Sequence, residues 1–372
     1  MPFSGSSLDQ TPAVRELAAK VLDGGRVTEL EARTLYAEAD LHTLGALAHA
    51  VRLAKHPEPM VTFVGDRNIN YSNICVCGCR FCAYFRAPGA PDGFVLSRDE
   101  LYRKIEETLE LGGTQILMQG GHHPELPLEW YEELLRDIKA RYPIHVHAFS
   151  PPEIVHFSKL AKLPVAEVIT RLRAAGLDSI PGGGAEILVD SVRKAVSPNK
   201  CSAGRWLGVM EEAHNQGMRT TATMMFGHEE WPEHRIEHLI AVREVQDRTG
   251  GFTAFIPWTF QPANTAMSFD RDWHPLPSPA YLRMLAVSRI VLDNVDNIQA
   301  SWVTMGPKVA QLALFYGAND FGSTMIEENV VAAAGVRFRL SADDIRRIVR
   351  AAGFAPRQRY MDYTLLDEGQ SV

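Results

Sequence analysis

The feature that most constrains the fold of this 372-residue chain is a regular alternation, after Pro59, of short apolar runs with amphipathic segments. Short apolar runs bounded by turn residues indicate buried strands, and apolar residues at a 3.6-residue period indicate helices. Strands are expected at VTFVG and INYSN (one interrupted strand), TQILMQ, HVHAFS, LDSIP, TTATMMF, FTAFIP, NIQAS and YGANDF. Helices are expected between them, for example at 97–112, 127–141, 203–217, 231–249 and 279–294.

Counting the interrupted first strand once gives eight strand–helix units, which predicts an α/β fold of the (β/α)8 barrel type. An open doubly wound sheet is the alternative. Helical spacing over residues 9–56 predicts a helical extension before the barrel. We therefore expect an N-terminal extension at 1–58, a barrel at 59–330 and a C-terminal segment at 331–372 that packs on the barrel.

A barrel of this type places functional residues after the C-terminal ends of its strands. The unusual polar and glycine-rich stretches of the chain follow the predicted strands in this way. They are the cysteines after the first strand, Gln119–His122, Ser150 and Glu153, Gly182–Glu186, and Gly227–Glu229. The pattern predicts one functional rim.

The net charge, the first ten residues and the length of the apolar runs argue against several classes of protein. A net charge of −7 and a pI of about 6.0 argue against a nucleic-acid partner, since the protein surfaces that bind nucleic acids are usually strongly basic. The start MPFSGSSLDQ lacks the basic and apolar regions of a signal peptide, and no apolar run reaches membrane-spanning length. We expect a cytoplasmic protein without a membrane partner. In that reducing compartment, cysteines serve metals or catalysis more often than disulfides.

Four of the five cysteines fall in the stretch NICVCGCRFCAYFR, residues 73–86. A zinc site, as in a barrel hydrolase, would need further ligands such as His122, His145 or His147, because no second cysteine pair exists. An electron-transfer cluster normally takes four thiolates. The subset Cys75-x3-Cys79-x2-Cys82 instead supplies three, which leaves one iron of a [4Fe–4S] cluster free to bind another ligand.

This cysteine spacing, with Phe81 before the last cysteine, resembles that of the radical S-adenosylmethionine (SAM) enzymes. The resemblance implies a TIM-type radical SAM barrel with a [4Fe–4S] cluster on Cys75, Cys79 and Cys82, and SAM on its open iron. It also implies that the turn at Gly120–Gly121 receives the methionine amino group, that Glu186 contacts the ribose, and that backbone near Phe81 and Gly227 contacts the adenine. The implied SAM-contacting residues are Phe81, Gly120, Gly121, Ser150, Glu186 and Gly227. The structural alternatives are a tight turn at Gly120 and Gly121 and a solvated Glu186.

Longer segments resemble the cyclic dehypoxanthinyl futalosine synthases, radical SAM enzymes of the futalosine route to menaquinone. These segments are GDRNINYSNICVCGCRFCAYFR, HAFSPPEI, AGLDSIPGGGAEILVD, RTTATMMFGHEE and GGFTAFIPWTFQPANT. The aminofutalosine synthases and the deazaflavin-forming synthases are more distantly similar. The resemblance implies hydrogen abstraction at C4′ of dehypoxanthine futalosine by a 5′-deoxyadenosyl radical, closure onto the aromatic ring, and loss of an electron and a proton. It also implies a one-electron donor such as flavodoxin or ferredoxin.

Several polar residues are candidates for contact with this substrate or for the base that removes the proton. His145 and His147 lie two apart on a predicted strand and therefore share a face; with Glu153 they are the candidate bases. Asn70, Tyr71 and Arg193 are the candidate substrate contacts. The alternatives are that His145 and His147 are hydrogen-bonded core histidines, that Asn70 and Tyr71 belong to a barrel-edge segment, and that Arg193 is solvated.

Cys77 departs from the family pattern, because a residue other than cysteine is expected there. It also creates alternative ligand sets with Cys75, Cys79 and Cys82. We predict that Cys77→Ser keeps iron and activity, whereas serine at any of the other three loses both. Iron and sulfide analysis after anaerobic purification checks this, and loss of the cluster in the Cys77 variant would contradict the ligand assignment.

Overall fold

A ring of parallel strands forms the centre of the protein in a computed structural model that describes residues 10–269 and 274–367. The strands are β1 (Met60–Val64), β2 (Asp66–Ile69), β3 (Gln115–Met118), β4 (His145–Ala148), β5 (Ser179–Ile180), β6 (Arg219–Phe226), β7 (Phe252–Thr259), β8 (Asn297–Ile298), β9 (Asp320–Ser323) and β10 (Ala355–Gln358). One sheet runs in the order β2 to β8, and a second has the order β10-β1-β9. Because β1 and β2 are consecutive halves of the first strand and a bridge joins Gln299 to Asp320, the two sheets close the ring.

Helices surround this ring, and the five helices predicted by residue range after Pro59 are present to within a few residues. The surrounding helices are α1 (Pro12–Leu22), α2 (Glu29–Glu38), α3 (Leu41–Lys55), α4 (Arg98–Glu110), α5 (Leu128–Arg141), α6 (Pro151–Ala161), α7 (Val165–Ala175), α8 (Asp190–Val196), α9 (Ala203–Asn215), α10 (Pro232–Thr249), α11 (Ser278–Val291), α12 (Trp302–Met305), α13 (Pro307–Ala313), α14 (Val330–Ala333) and α15 (Ala342–Ala351). The α/β barrel fold is confirmed.

Four strand predictions need correction. The second half of the first strand is β2, so most of INYSN lies beyond it, where Ser72 forms an isolated antiparallel bridge with Val95. LDSIP shortens to the two residues of β5, and NIQAS to the two residues of β8. The strand expected at YGANDF begins only at Asp320, because Gly317 has a φ of +104° that interrupts extended backbone.

The N-terminal helices are fixed by capping and pack on the outer layer of helices. Thr28 and Glu31 form a capping box at the start of α2, and the Asp40 carboxylate accepts from the backbone N–H of His42 (2.8 Å) at the start of α3. The helix α3 packs along α11, and α2 packs on α10 and α11. Within the described residues, no helix combines the length and apolar character needed to cross a membrane.

Strand β3 illustrates how the ring separates core from interior. Ile116 and Met118 are fully buried in the main hydrophobic core, whereas Gln115 and Leu117 line a central cavity. Successive residues of a strand point to opposite faces, so the same four residues serve both purposes. The apolar core therefore lies between strands and helices, and the interior of the ring remains available for polar groups.

The C-terminal segment contacts the first strand. Strand β10 pairs with β1 in parallel, and Arg359 forms a bidentate ion pair with Asp320 (2.5 and 3.1 Å). Both side chains of this pair are buried. The limits of the three proposed segments, at residues 58 and 330, stay a prediction.

We predict that Arg359→Met lowers the free energy of unfolding by about 3–5 kcal/mol, because the Asp320 carboxylate stays buried without its cation. As a matched control, Arg248→Met breaks the exposed Arg248–Glu211 pair and costs less than about 1 kcal/mol. Equilibrium denaturation in urea measures both changes, and equal losses for the two variants would contradict the prediction.

Candidate functional site

The cysteine loop follows β2 and is held at both sides by backbone hydrogen bonds. On one side, Val76 N donates to His122 O (3.1 Å) and Gly121 N donates to Ser72 O (2.8 Å). On the other side, Arg80 N donates to Val196 O (2.9 Å) at the end of α8. The loop is therefore fixed between the turn after β3 and the segment after α8, at the C-terminal ends of the strands.

The thiols of this loop have the chemistry that iron ligands need. Hydrogen bonding by Cys77 lowers the pKa of Cys75 to about 6 and also lowers the pKa of Cys79. Burial raises the pKa of Cys82. Three thiols on one loop, two of them with a lowered pKa, fit a cluster with three cysteine ligands, since the thiolate is the ligating form.

His122, one of the candidate zinc ligands, lies against the same loop. Within residues 10–269 and 274–367, no three His, Cys, Asp or Glu side chains are arranged to hold a single metal ion. The imidazole of His122 instead contacts the buried thiol of Cys77, with Sγ 3.1 Å from Nδ1. Cys77 thus has a partner of its own beside the three proposed ligands.

A partly buried lysine that sequence reasoning missed lies next to the cysteines. Lys200 Nζ donates to Glu186 Oε1 (2.8 Å) and lies 5.1 Å from the centre of the Phe81 ring. Burial alone would lower the pKa of Lys200, but the Cys79 thiol and the Glu186 carboxylate together raise it. A single lysine in the stretch SPNK carries no recognisable motif, so only the fold reveals it.

Glu186 lies at the same rim and is ionised. Burial would raise its pKa, but the charges of Lys200 and Arg193 lower it on balance. Its backbone has a φ of +42°, an uncommon conformation for a residue other than glycine. The triple-glycine loop therefore presents Glu186 to the rim together with the cysteines and Phe81.

The paired glycines are required by close contacts within the protein. A Cβ atom on Gly121 would lie 2.1 Å from Ile74 O, and one on Gly120 would lie 2.4 Å from Cζ of Tyr71. Gly183 is crowded in the same way, because its Cβ would lie 2.1 Å from Nε2 of Gln119. Gly227 has a φ of +95°, and its N–H donates to Glu230 (2.6 Å). The glycines let the rim loops approach one another.

Tyr71, Glu153 and Ser150 form a buried cluster below Gly120. Glu153 accepts from Tyr71 OH (2.8 Å), from Gly120 N (3.0 Å) and from Ser150 N and Oγ (2.8 and 2.6 Å). Tyr71 and Glu153 are almost completely buried and do not line the cavity. In this structure Tyr71 and Glu153 support the Gly120–Gly121 turn, and their roles as substrate contact and base stay predictions.

Arg193 is tied to the triple-glycine loop. Its guanidinium is buried and donates to the backbone oxygens of Ala185 (2.5 Å), Gly184 (3.2 Å) and Cys201 (3.0 and 2.9 Å). Arg193 therefore shapes the triple-glycine loop, and its role as a substrate contact stays a prediction.

A cavity of about 270 Å³ fills the interior of the barrel. Barrel interiors are usually packed with branched apolar side chains, whereas this one is hollow, with a mostly apolar wall that carries polar groups. Its polar lining residues include Asp66, Asn68, Gln115, Gln119, His147, Gln299 and Arg359. Asn70 lies near this lining, where its Nδ2 donates to Gln119 O (3.2 Å). A mostly apolar cavity with a few placed polar groups fits a small organic substrate.

The two candidate histidines separate in the structure. His145 and His147 both contact Ser179 Oγ (2.7 and 2.6 Å), as their shared face predicts. Only His147 lines the cavity, whereas His145 lies at the start of β4, opposite the cysteines. Burial lowers the pKa of both, and that of His147 lies well below 6.5. Neutral His147 is therefore a weak proton acceptor.

We predict that Gly121→Ala loses most of its iron, because the added methyl group would force the cysteine loop away from the turn. The matched control is Gly208→Ala in α9, where an added Cβ meets nothing within 4 Å and gains about 0.5–1 kcal/mol of stability. Iron content and thermal unfolding measure the two effects. Full iron content in Gly121→Ala would contradict the prediction.

Comparisons with known proteins agree with this geometry. Residues 69–242 match the Radical SAM superfamily, and residues 249–372 match the CofH/MqnC C-terminal region. The chain is 47% identical to the cyclic dehypoxanthine futalosine synthase of Halalkalibacterium halodurans over 93% of each chain. It is 39% identical to the aminodeoxyfutalosine synthase of Thermus thermophilus over 94% of each chain.

A solved structure supports the same fold. The FeFe-hydrogenase maturase HydG from Carboxydothermus hydrogenoformans aligns with 94% of this chain and 80% of its own, with a TM-score of 0.74 and 18% identity. Radical SAM enzymes use a [4Fe–4S] cluster and S-adenosylmethionine, and the thiols of the cysteine loop fit that requirement. The chain therefore belongs to the radical SAM superfamily and, within it, to the family of the cyclic dehypoxanthine futalosine synthases.

Proposed function

We propose that the protein converts dehypoxanthine futalosine to cyclic dehypoxanthinyl futalosine in menaquinone biosynthesis. The observation that carries the proposal is the 47% identity, over nearly the whole chain, to a cyclic dehypoxanthine futalosine synthase. The identity to an aminodeoxyfutalosine synthase over the same length is lower, at 39%. Aminofutalosine synthesis is therefore the second candidate.

Cys75, Cys79 and Cys82 would hold the cluster, and Cys77 would stay outside its ligand set. The cluster and SAM, when bound, supply the adenosyl radical that takes the C4′ hydrogen of the substrate. The backbone of Gly120 and Gly121 would receive the methionine amino group, and the missing side chains let this turn lie against Tyr71 and Ile74.

Other rim residues complete the proposed SAM site. Glu186 would accept hydrogen bonds from the ribose hydroxyls, and Lys200 would supply positive charge for the methionine carboxylate. Backbone near Phe81 and Gly227 would meet the adenine. Ser150 would act indirectly, because its hydroxyl is occupied by Glu153.

The central cavity would take the substrate. It opens among loops that belong to the same rim as the cysteines, and its walls offer amide, hydroxyl and imidazole groups to a ribose-bearing molecule. Enclosure in the barrel limits side reactions of a radical with water and small solutes. A one-electron donor such as flavodoxin or ferredoxin would supply the electron that starts the reaction.

Anaerobic incubation with SAM, a reductant and dehypoxanthine futalosine tests the proposal. Mass spectrometry is expected to detect a product two hydrogens lighter than the substrate, together with 5′-deoxyadenosine. A parallel reaction with the enolpyruvyl substrate of aminofutalosine synthase is the control. Turnover of that compound alone would overturn the proposal in favour of the second candidate.

A further inference from the structure

The cavity contains a carboxylate at the level where β2 begins. Asp66 is 2% exposed, and it lines the cavity together with Gln115 and Ser323. One carboxylate oxygen of Asp66 accepts from Gln115 Nε2 (2.7 Å), and the other accepts from the Ser323 hydroxyl. These two neutral donors fix the orientation of the carboxylate.

Among the described residues, no cation forms an ion pair with Asp66, although the charge of Arg359 acts on it. Arg359, the positively charged neighbour, donates through Nε and Nη2 to Asp320 and through Nη1 to Tyr360 O (3.0 Å). Burial raises the pKa of Asp66 to about 7, against the hydrogen bond of Gln115 and the charge of Arg359, which lower it. Asp66 is therefore ionised in part near neutral pH and remains able to take a proton.

The other titratable groups of the cavity lining are less suited to accept a proton. Burial raises the pKa of Glu328 as well, but its carboxylate already accepts three backbone N–H groups, those of Val330 (3.0 Å), Val331 (2.8 Å) and Ala332 (3.0 Å). The Tyr363 hydroxyl is bonded to Gln299 (3.1 Å), and burial raises its pKa. His147 is a weak base for the reason given above.

We propose that Asp66 is the catalytic residue that accepts the proton lost in the ring-closing reaction; this inference rests on the proposed function. After the new carbon–carbon bond forms, the attacked ring carbon still carries its hydrogen. That carbon–hydrogen bond breaks, the proton passes to a carboxylate oxygen of Asp66, and the electron pair stays in the ring. One electron then leaves to a one-electron acceptor of the iron–sulfur class, and aromaticity is restored.

The base is needed after hydrogen abstraction, which gives the experiment its readout. In Asp66→Asn, with dehypoxanthine futalosine, SAM and a reductant, 5′-deoxyadenosine continues to form. The ratio of cyclised product to 5′-deoxyadenosine falls by about a hundredfold, the scale on which a general base contributes. This ratio does not depend on the amount of folded enzyme. The conservative variant Asp66→Glu recovers part of it. A wild-type ratio in Asp66→Asn would overturn the proposal.

The pH dependence of the wild-type enzyme gives a test that needs no variant. Asp66 accepts a proton only when it is ionised, so the product ratio is expected to rise with pH through about 7. The ratio in Asp66→Asn loses this rise. A wild-type ratio that stays flat between about pH 6 and pH 8 would overturn the role of Asp66. Absence of cyclised product from the wild type at every pH would instead overturn the proposed function, and the role of Asp66 with it.

Discussion

The close approach of the cysteine loop to the Gly120–Gly121 turn is the constraint on which the site depends. Gly121 donates its N–H to Ser72 O, and a side chain on it would collide with the carbonyl of Ile74. The contact is possible because parallel strands deliver both loops to the same end of the ring. The barrel therefore brings both loops to the same end, and glycine allows them to lie close together.

Ion pairs that are largely shielded from solvent lie at two levels of the barrel, one at the rim and one deeper in the interior. At the rim, Glu186 and Lys200 form an ion pair beside the cysteines. Lower in the cavity, Arg359 and Asp320 form a second pair, next to Asp66. Isolated buried charges are costly, so pairing is needed at both levels. The two levels match the two tasks of the proposed reaction, which are radical generation at the rim and proton removal within the cavity.

Much of the fold was predictable from the sequence, because its apolar residues recur with the period of a strand or of a helix. The cysteine spacing and the rim positions of Gly121 and Glu186 followed from local motifs and strand order. The contacts of Tyr71 and Arg193 did not, because a polar residue looks the same whether it bonds a substrate or the backbone of its own chain. Lys200 was missed for the related reason that its partners are distant in sequence or lack a motif.

We propose that three cysteines hold the cluster and leave one iron free for SAM, while Cys77 remains outside. Mössbauer spectroscopy of the anaerobically reconstituted protein, with and without SAM, tests this ligand set most directly. We expect one iron of the four to change its signal when SAM is added and the other three to keep theirs. Four irons with cysteine-like signals that ignore SAM would contradict it, because they would place Cys77 on the fourth iron.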